Sequence, residues 1–394
     1  MAANTLSYNA IATLLNQIVT EATGKAVITP TTGNDFVAVA NTGLLAGYDN
    51  LMGAISQVLS RTIISNRPYT RKFKGLEADS IRWGNHVRKI NYIDRDWDDG
   101  SRLPITNGVS VDDQAPVLDE VLQTNFYGQN DYEIQWTMYA NQLDVAFKGP
   151  DEFGSFISGK LQNISDMVEQ KHEALARATL ANLMGGIIDI GNTTQVVHLV
   201  TEYNTYCGYS PVKTLSDIRG DAAEYAKFTK WIYGRVAQLS AMLTERSIVY
   251  HQNVTGKEIA RHTPYDKQNV YLLSSERFQM EAQVLADVYH DNYLRMSDTD
   301  ILNYWQAIGS PDTIQIEPVY MKTDGTLETS GAAVNQSDVF GVICDVEAAG
   351  YTVVNQRSTS AAYNGKGEYQ NFWLKFTDRW WNDFTENAAV LLLD

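Results

Sequence analysis

From Asp131 to Met138 apolar and polar side chains alternate one for one: Tyr132, Ile134, Trp136 and Met138 against Asp131, Glu133, Gln135 and Thr137. A period of two puts all the apolar residues on one side of an extended chain, which predicts a half-buried strand. Before it lie an arm at 81–93 (IRWGNHVRKINYI) and a glycine-broken acidic stretch, DRDWDDGSRLPITNG. Together they predict an extended hairpin over 67–140, with the alternating strand as its return arm. Gly149-Pro150-Asp151 then ends the strand, and the period changes. Phe153, Ile157, Leu161, Ile164, Val168, Leu175 and Ala178 recur at helical spacing, broken by His172. Asp151 as N-cap and Gly185-Gly186 as a stop bound a helix at 151–184. At 1.5 Å per residue it runs about 50 Å, longer than a small domain is wide. Neither hairpin nor helix can bury itself in a compact monomer, so both are predicted to lie on copies of the same chain.

The rest of the chain has weaker periodicity. Helices are predicted at 4–21 and 46–62, with a linker at 22–35. Residues 1–66 are too few and too polar to hold a core alone. A helix at 221–246 carries Tyr225, Phe228, Ile232, Val236, Leu239 and Leu243 on one face. Strands follow at 247–250 and 269–273, then a helix capped by Ser274 or Ser275 and reaching Tyr293. Further strands are predicted at 313–320, 338–346 and 350–354, with a turn at 323–326 and an exposed loop at 326–337. The final apolar run, 388–393, must be tied into a sheet. The expectation is an α+β chain in which 141–246 and 356–394 share a core, and 247–355 is an inserted α/β lobe.

Charge changes the picture of the hairpin. The net charge is −16 over 394 residues, which counts against a surface that grips nucleic acid by phosphate neutralisation. It does not exclude a wall that merely encloses nucleic acid. Residues 67–90 carry seven Lys/Arg against two acids, whereas 94–120 carry eight acids against two bases. A basic stem beside an acidic tip is complementary to itself in a neighbouring copy, and head-to-tail contacts of this kind build rings or lattices. The candidate interface residues are Arg71, Lys72, Lys74, Arg82, Arg88 and Lys89 on the stem. On the tip they are Asp94, Asp96, Asp98, Asp99, Asp112 and Asp113. The plainer alternative is a solvated surface whose charges do little.

Motifs for chemistry are missing. Asp94-x-Asp96-x-Asp98-Asp99-Gly100 starts like a calcium loop, but its glycine is one place late and Ile105 stands where a bidentate Glu is needed. The six histidines lack ligand spacing, and His172 reads as a packed residue. No phosphate-binding glycine loop or nucleophile elbow occurs. No metal, cofactor or catalytic residue is therefore expected. Phe372, Trp373, Phe376, Trp380, Trp381 and Phe384 could form a sugar platform, though core packing is favoured. Two cysteines give no disulfide framework, and neither a signal peptide nor a spanning segment of about 18 apolar residues is found. A cytosolic origin and no membrane partner are expected.

In this order the elements resemble the tailed-phage major capsid proteins with the Hong Kong 97 fold, over nearly the whole chain. The stretches that carry the likeness are RWGNHVRKINYI through NDYEIQWTMYA, GPDEFGSFISGKLQNISDMVEQKHEALARATLANLMGG, NVYLLSSERFQMEAQVLADVYHDNYL and YQNFWLKFTDRWWNDFTENAAVLLLD. The resemblance implies an N-terminal arm (1–66), an extension loop (67–140) and a peripheral domain (141–246) with its spine helix. An axial domain (247–355) and a return to the peripheral domain (356–394) complete it. It also implies a non-enzymatic shell protein that forms hexamers and pentamers of an icosahedral head around double-stranded DNA, without sequence-specific binding. Such a protein is assembled in the host bacterial cytoplasm with a portal. With so few residues before the loop, a separate scaffolding protein is expected. Some relatives crosslink through Lys–Asn isopeptide bonds; no partner asparagine is identifiable here, and that chemistry is not carried over. An encapsulin-like nanocompartment is similar in fold, and its cargo would differ. A carbohydrate-acting enzyme or binding module would need a carboxylate pair that cannot be placed.

Overall fold

The structure, a computed structural model, describes residues 8–24, 30, 32–45, 47, 49–52, 54–55, 72–78, 87–93, 118, 120–254, 256–287, 299–328 and 333–394. Two N-terminal helices, α1 (Tyr8–Thr23) and α2 (Gly33–Leu45), come first. α2 replaces most of the end of the expected linker. Its start is capped by Thr32, whose hydroxyl accepts the Asp35 N–H at 3.3 Å and donates to the Asp35 carboxylate at 2.8 Å. Of the helix expected at 46–62, residues 49–52 and 54–55 are helical and the remainder lies largely outside the described residues.

β1 (Val87–Tyr92) pairs antiparallel with β2 (Val121–Phe126), Val87 opposite Phe126 and Tyr92 opposite Val121. The return arm of the hairpin is therefore 121–126 and not the alternating strand. That strand, β3 (Gly128–Tyr139), pairs instead with a strand near the C-terminus, Ile134 opposite Leu374 and Trp136 opposite Phe372. Its period of two was a true sign of burial on one face. Its partner, more than 200 residues away, supplies the aromatic side chains that bury it.

After α3 (Ala140–Ala146) comes the spine, α4 (Pro150–Ile190), 41 residues long. At 1.5 Å per residue this is about 60 Å. Two expectations about its ends need correcting. Gly149, with extended backbone, is the N-cap, and Pro150 takes the first helical turn, where its missing N–H costs nothing. The helix also runs through Gly185-Gly186 and stops at Gly191, whose φ of 70° is the left-handed conformation glycine tolerates. The glycine pair serves close approach. A Cβ on Gly186 would lie 2.5 Å from the Phe384 ring, and one on Gly185 would lie 2.6 Å from Ile316 Cγ2. Gly186→Leu should therefore destabilise the protein by about 1–3 kcal/mol through overpacking. The helix-propensity gain of about 1 kcal/mol over glycine is too small to reverse the sign. Urea denaturation of the variant checks this.

The chain continues through β4 (Val196–His198), α5 (Leu199–Cys207), α6 (Leu215–Gly220), α7 (Ala222–Thr244), β5 (Gln268–Leu273) and α8 (Ser274–Asp287). Then come β6 (Thr299–Leu302), β7 (Ile314–Ile316), β8 (Tyr320–Met321), β9 (Leu327–Glu328), β10 (Val334–Gln336) and β11 (Val339–Asp345). The last strands are β12 (Ala349–Ser360), β13 (Tyr369–Asn382) and β14 (Ala388–Leu392). The strand expected at 247–250 shrinks to a single bridge from Ser247 to Arg261. The one expected at 313–320 divides into β7 and β8 around Pro318, which has no N–H to give a ladder. The loop expected at 326–337 contains β9 and β10, the latter paired with β7.

Two cores result, and α4 belongs to both. Phe153, Ile157, Ile164 and Val168 pack with α1, α2, α3 and the β12-β13-β3 sheet. Leu175, Leu180, Leu183, Met184 and Ile187 pack with α5, α7 and the five-stranded sheet β4-β14-β11-β5-β6. The last strand shares the second core with β4, α5 and α7 of 141–246, and its sheet also takes in β5, β6 and β11 of 247–355. β14 is an interior strand of that sheet, antiparallel to β11 and parallel to β4. The cause is compositional. Every residue of AAVLL is buried, and a strand apolar on both faces needs cover on both. α1 and α2 pack into the first core together with the spine.

Candidate assembly surface

The hairpin β1–β2 has two unlike faces. Lys89 and Asn91 turn toward the body with Thr124, which lies opposite Lys89. Arg88, Ile90 and Tyr92 turn away, joined by Val121 and Gln123 across the ladder. Ile90 is 47% exposed, Val121 52% and Tyr92 69%. Side chains directly opposite one another on one face act as a unit, so Tyr92 and Val121 with neighbouring Ile90 make an apolar strip on an otherwise polar arm.

Ionic contacts hold the inward face. The Lys89 ammonium lies 2.5 Å from Glu386 Oε1, 2.9 Å from Glu347 Oε2 and 3.0 Å from Asp383 Oδ2. Arg261 joins Glu386 at 3.2 Å. On the return side Lys257 pairs with Glu120. Burial works against the charged form of Lys89, but the Asp383 and Glu386 carboxylates and the hydrogen bonds to Glu386 and Glu347 outweigh it, and its pKa rises. Such a shift contributes stability that is fully present below the ordinary lysine pKa, so the cluster is intact at neutral pH. Three carboxylates face two cations. The surplus negative charge is consistent with Glu386, whose pKa burial raises against the opposing pull of Lys89 and Arg261.

The sequence-predicted interface residues are placed unevenly. Lys72 and Arg88 are exposed, and Lys74 begins a short 3-10 turn, Lys74–Leu76. Lys89 finds its partners within its own chain. Arg71, Arg82, Asp94, Asp96, Asp98, Asp99, Asp112 and Asp113 lie outside the described residues. Ile90, Tyr92 and Val121 were missed. Their signal was present in VRKINY, where Arg88, Ile90 and Tyr92 alternate with Lys89 and Asn91.

The spine is fastened to the lobe by Arg177. Its Nη2 donates to Glu173 Oε1 at 2.7 Å, its Nη1 donates to the carbonyls of Tyr304 and Trp305, and its guanidinium lies 4.0 Å from the Tyr304 ring centroid. Beside it runs a groove of about 840 Å³ lined by Gln162, Asp166, Gln170, Ala174 and Tyr304. Its buried carboxylate, Glu173, accepts from Arg177 Nε and Nη2. His172 is packed as expected, 3.7 Å from Asp378 and between the rings of Tyr351 and Phe376. Phe372, Phe376 and Phe384 are buried in the cores, and Trp373, Trp380 and Trp381 are half-buried. Among the described residues no cluster of three or more His, Cys, Asp or Glu could hold a metal ion, and no helix is long and apolar enough to cross a membrane.

Solved structures share this architecture. The capsid structure of Staphylococcus phage Andhra matches with a TM-score of 0.53 at 10% identity, covering 84% of this chain and 86% of that one. A chain in the structure of the head fiber and inner core protein gp22 of native bacteriophage P68 matches with a TM-score of 0.50 at 10% identity, covering 82% and 85%. At such identities the likeness is one of fold, and it bears out the expected phage capsid fold. No curated protein matches the chain. The model of the Phi29-like phage major capsid protein family matches residues 15–392, and the chain belongs to that family.

Proposed function

We propose that this head shell protein assembles as hexamers and pentamers into the closed icosahedral head of a tailed phage, with hairpin β1–β2 reaching onto a neighbouring copy. The observation that carries this reading is an arm with an exposed apolar strip, in a chain of a capsid family. A surface strip of this kind on an arm is what a second copy would cover. The split of basic stem and acidic tip supports the same contact. The shell encloses double-stranded DNA as a wall without sequence-specific contacts, carries no catalytic activity, and is built in the host bacterial cytoplasm. A separate scaffolding protein and a portal are its partners. The family match favours neither the nanocompartment nor the carbohydrate reading.

Electron microscopy of the purified protein, with and without scaffold, tests assembly directly: closed shells are expected, and a protein that stays monomeric at high concentration in both conditions defeats the reading. Changing Asp96, Asp98 and Asp99 together to lysine should impair shell formation while circular dichroism shows a folded monomer. Shells that form as before would remove the acidic tip from the contact.

A further inference from the structure

Among the described residues the hairpin packs Asn91 and Thr124 against the body, and three further kinds of point fix it there. The Lys89 cluster is one and the Lys257–Glu120 pair another. The third is the covalent joint at Tyr127-Gly128, where β2 gives way to β3. The joint alone cannot set a direction. Tyr127 interrupts the ladder and is exposed, and Gly128 lies so close to Trp380 that a Cβ there would be 2.4 Å from its carbonyl oxygen. No side chain at Gly128 braces the arm against the sheet. Lys257 and Glu120 are both well exposed, and an exposed ion pair constrains little.

The Lys89 cluster differs in kind. An ammonium has three N–H donors, and three carboxylates surround this one. They come from two separate connections: Glu347 from the turn between β11 and β12, and Asp383 and Glu386 from the link between β13 and β14. A single ion pair lets an arm swing about its partner; acceptors on two connections fix a point in space. Asp383 is 1% exposed, so its attraction to Lys89 is screened far less than a surface pair.

We propose that Lys89 is a positioning residue for assembly: held by Glu347, Asp383 and Glu386, it fixes the angle at which the hairpin leaves the body and hence the angle between one subunit and the next. This rests on the reading of the hairpin as the arm between subunits. A head-to-tail contact closes a ring or shell only when its rotation closes. An arm free to swing joins subunits at many angles, and the products are open sheets or shells of mixed size.

The test compares the full chain with Lys89→Met and with Lys89→Met/Asp383→Asn, which removes one charge of each sign, leaves Glu386 paired with Arg261 and keeps the test readable if the single change does not fold. Hydrogen exchange over 87–92 and 121–126 reports the arm, and electron microscopy reports shell diameter. In a folded variant the arm should lose protection, and the yield of shells of the original diameter should fall about tenfold, the factor that a loss of about 1.4 kcal/mol at the contact produces. A residue that merely stabilised the subunit would lower the melting temperature and leave the shells uniform. Uniform shells of the original diameter from either folded variant overturn the proposal. Failure of the unaltered protein to assemble instead overturns the shell reading on which it rests.

Discussion

Ile90→Asp combined with Tyr92→Asp is expected to abolish shell formation and leave the subunit folded. Both side chains point away from the body, so the monomer loses little packing. Exposed substitutions cost within about 0.5 kcal/mol, to which lower strand propensity adds up to about 1 kcal/mol. At a contact the balance reverses. Covering a side chain of this size contributes about 1.5–3 kcal/mol, and two carboxylates in its place would have to be desolvated without partners. That loss recurs at every arm in the shell, so a modest change per contact becomes an all-or-none effect on assembly. Sedimentation velocity separates shells from free subunits, and a circular dichroism melt verifies the fold. Shells forming at the original yield would show that the strip faces solvent in the particle.

Arg177→Met should cost the largest single amount of stability, about 3–5 kcal/mol, as expected for breaking a buried ion pair. The side chains of Arg177 and Glu173 are 8% and 10% exposed. Removing the guanidinium takes the buried counter-charge from the Glu173 carboxylate and the donor from the carbonyls of Tyr304 and Trp305. Methionine can fill much of the volume but supplies no hydrogen bond. Lysine would keep the charge without the planar fork that serves a carboxylate and two carbonyls at once. Single domains are stable by only about 5–15 kcal/mol, so the loss is a large share. Urea denaturation measures it. The double variant Glu173→Gln/Arg177→Met should recover part of the loss, since the buried carboxylate charge is gone, and a double-mutant cycle isolates the pair. Equal stability in wild type and Arg177→Met would mean that the guanidinium contacts contribute nothing net.

Elements whose evidence is local were legible in the sequence; their partners were not. The heptad-like run from Phe153 to Leu175 identified the spine, and the alternation from Asp131 to Met138 identified a strand. Gly185-Gly186 was misread as a stop because its meaning lies in Phe384, nearly 200 residues later, which packs where a side chain would stand. The strand at 128–139 was assigned to the hairpin because chain neighbours are the default partners, whereas the aromatic face of β13 outcompetes them. α2 was hidden because Gly33 and Asn34 carry little helix propensity, and only the Thr32 cap on Asp35 announced it. Lys89 was visible as a charge on the stem. That its counter-charges lie on two distant connections of the same chain could be seen only once β1 was folded against them.

The place of β14 bears on when a subunit becomes complete. Residues 388–392 form an interior strand, with β4 on one side and β11 on the other. During synthesis the lobe must therefore wait with a slot open beside β4, made almost 200 residues earlier, and the parallel pairing that fills it closes a long stretch of chain, a slow class of folding event. A nascent chain can carry its spine and hairpin long before this lobe is finished. Chains cut short before Ala388 lack this strand and leave the edges of β4 and β11 that it covers unpaired, a folding checkpoint. Protease sensitivity of the lobe in chains ending before Ala388, against resistance in the full chain, is the signature such a checkpoint leaves.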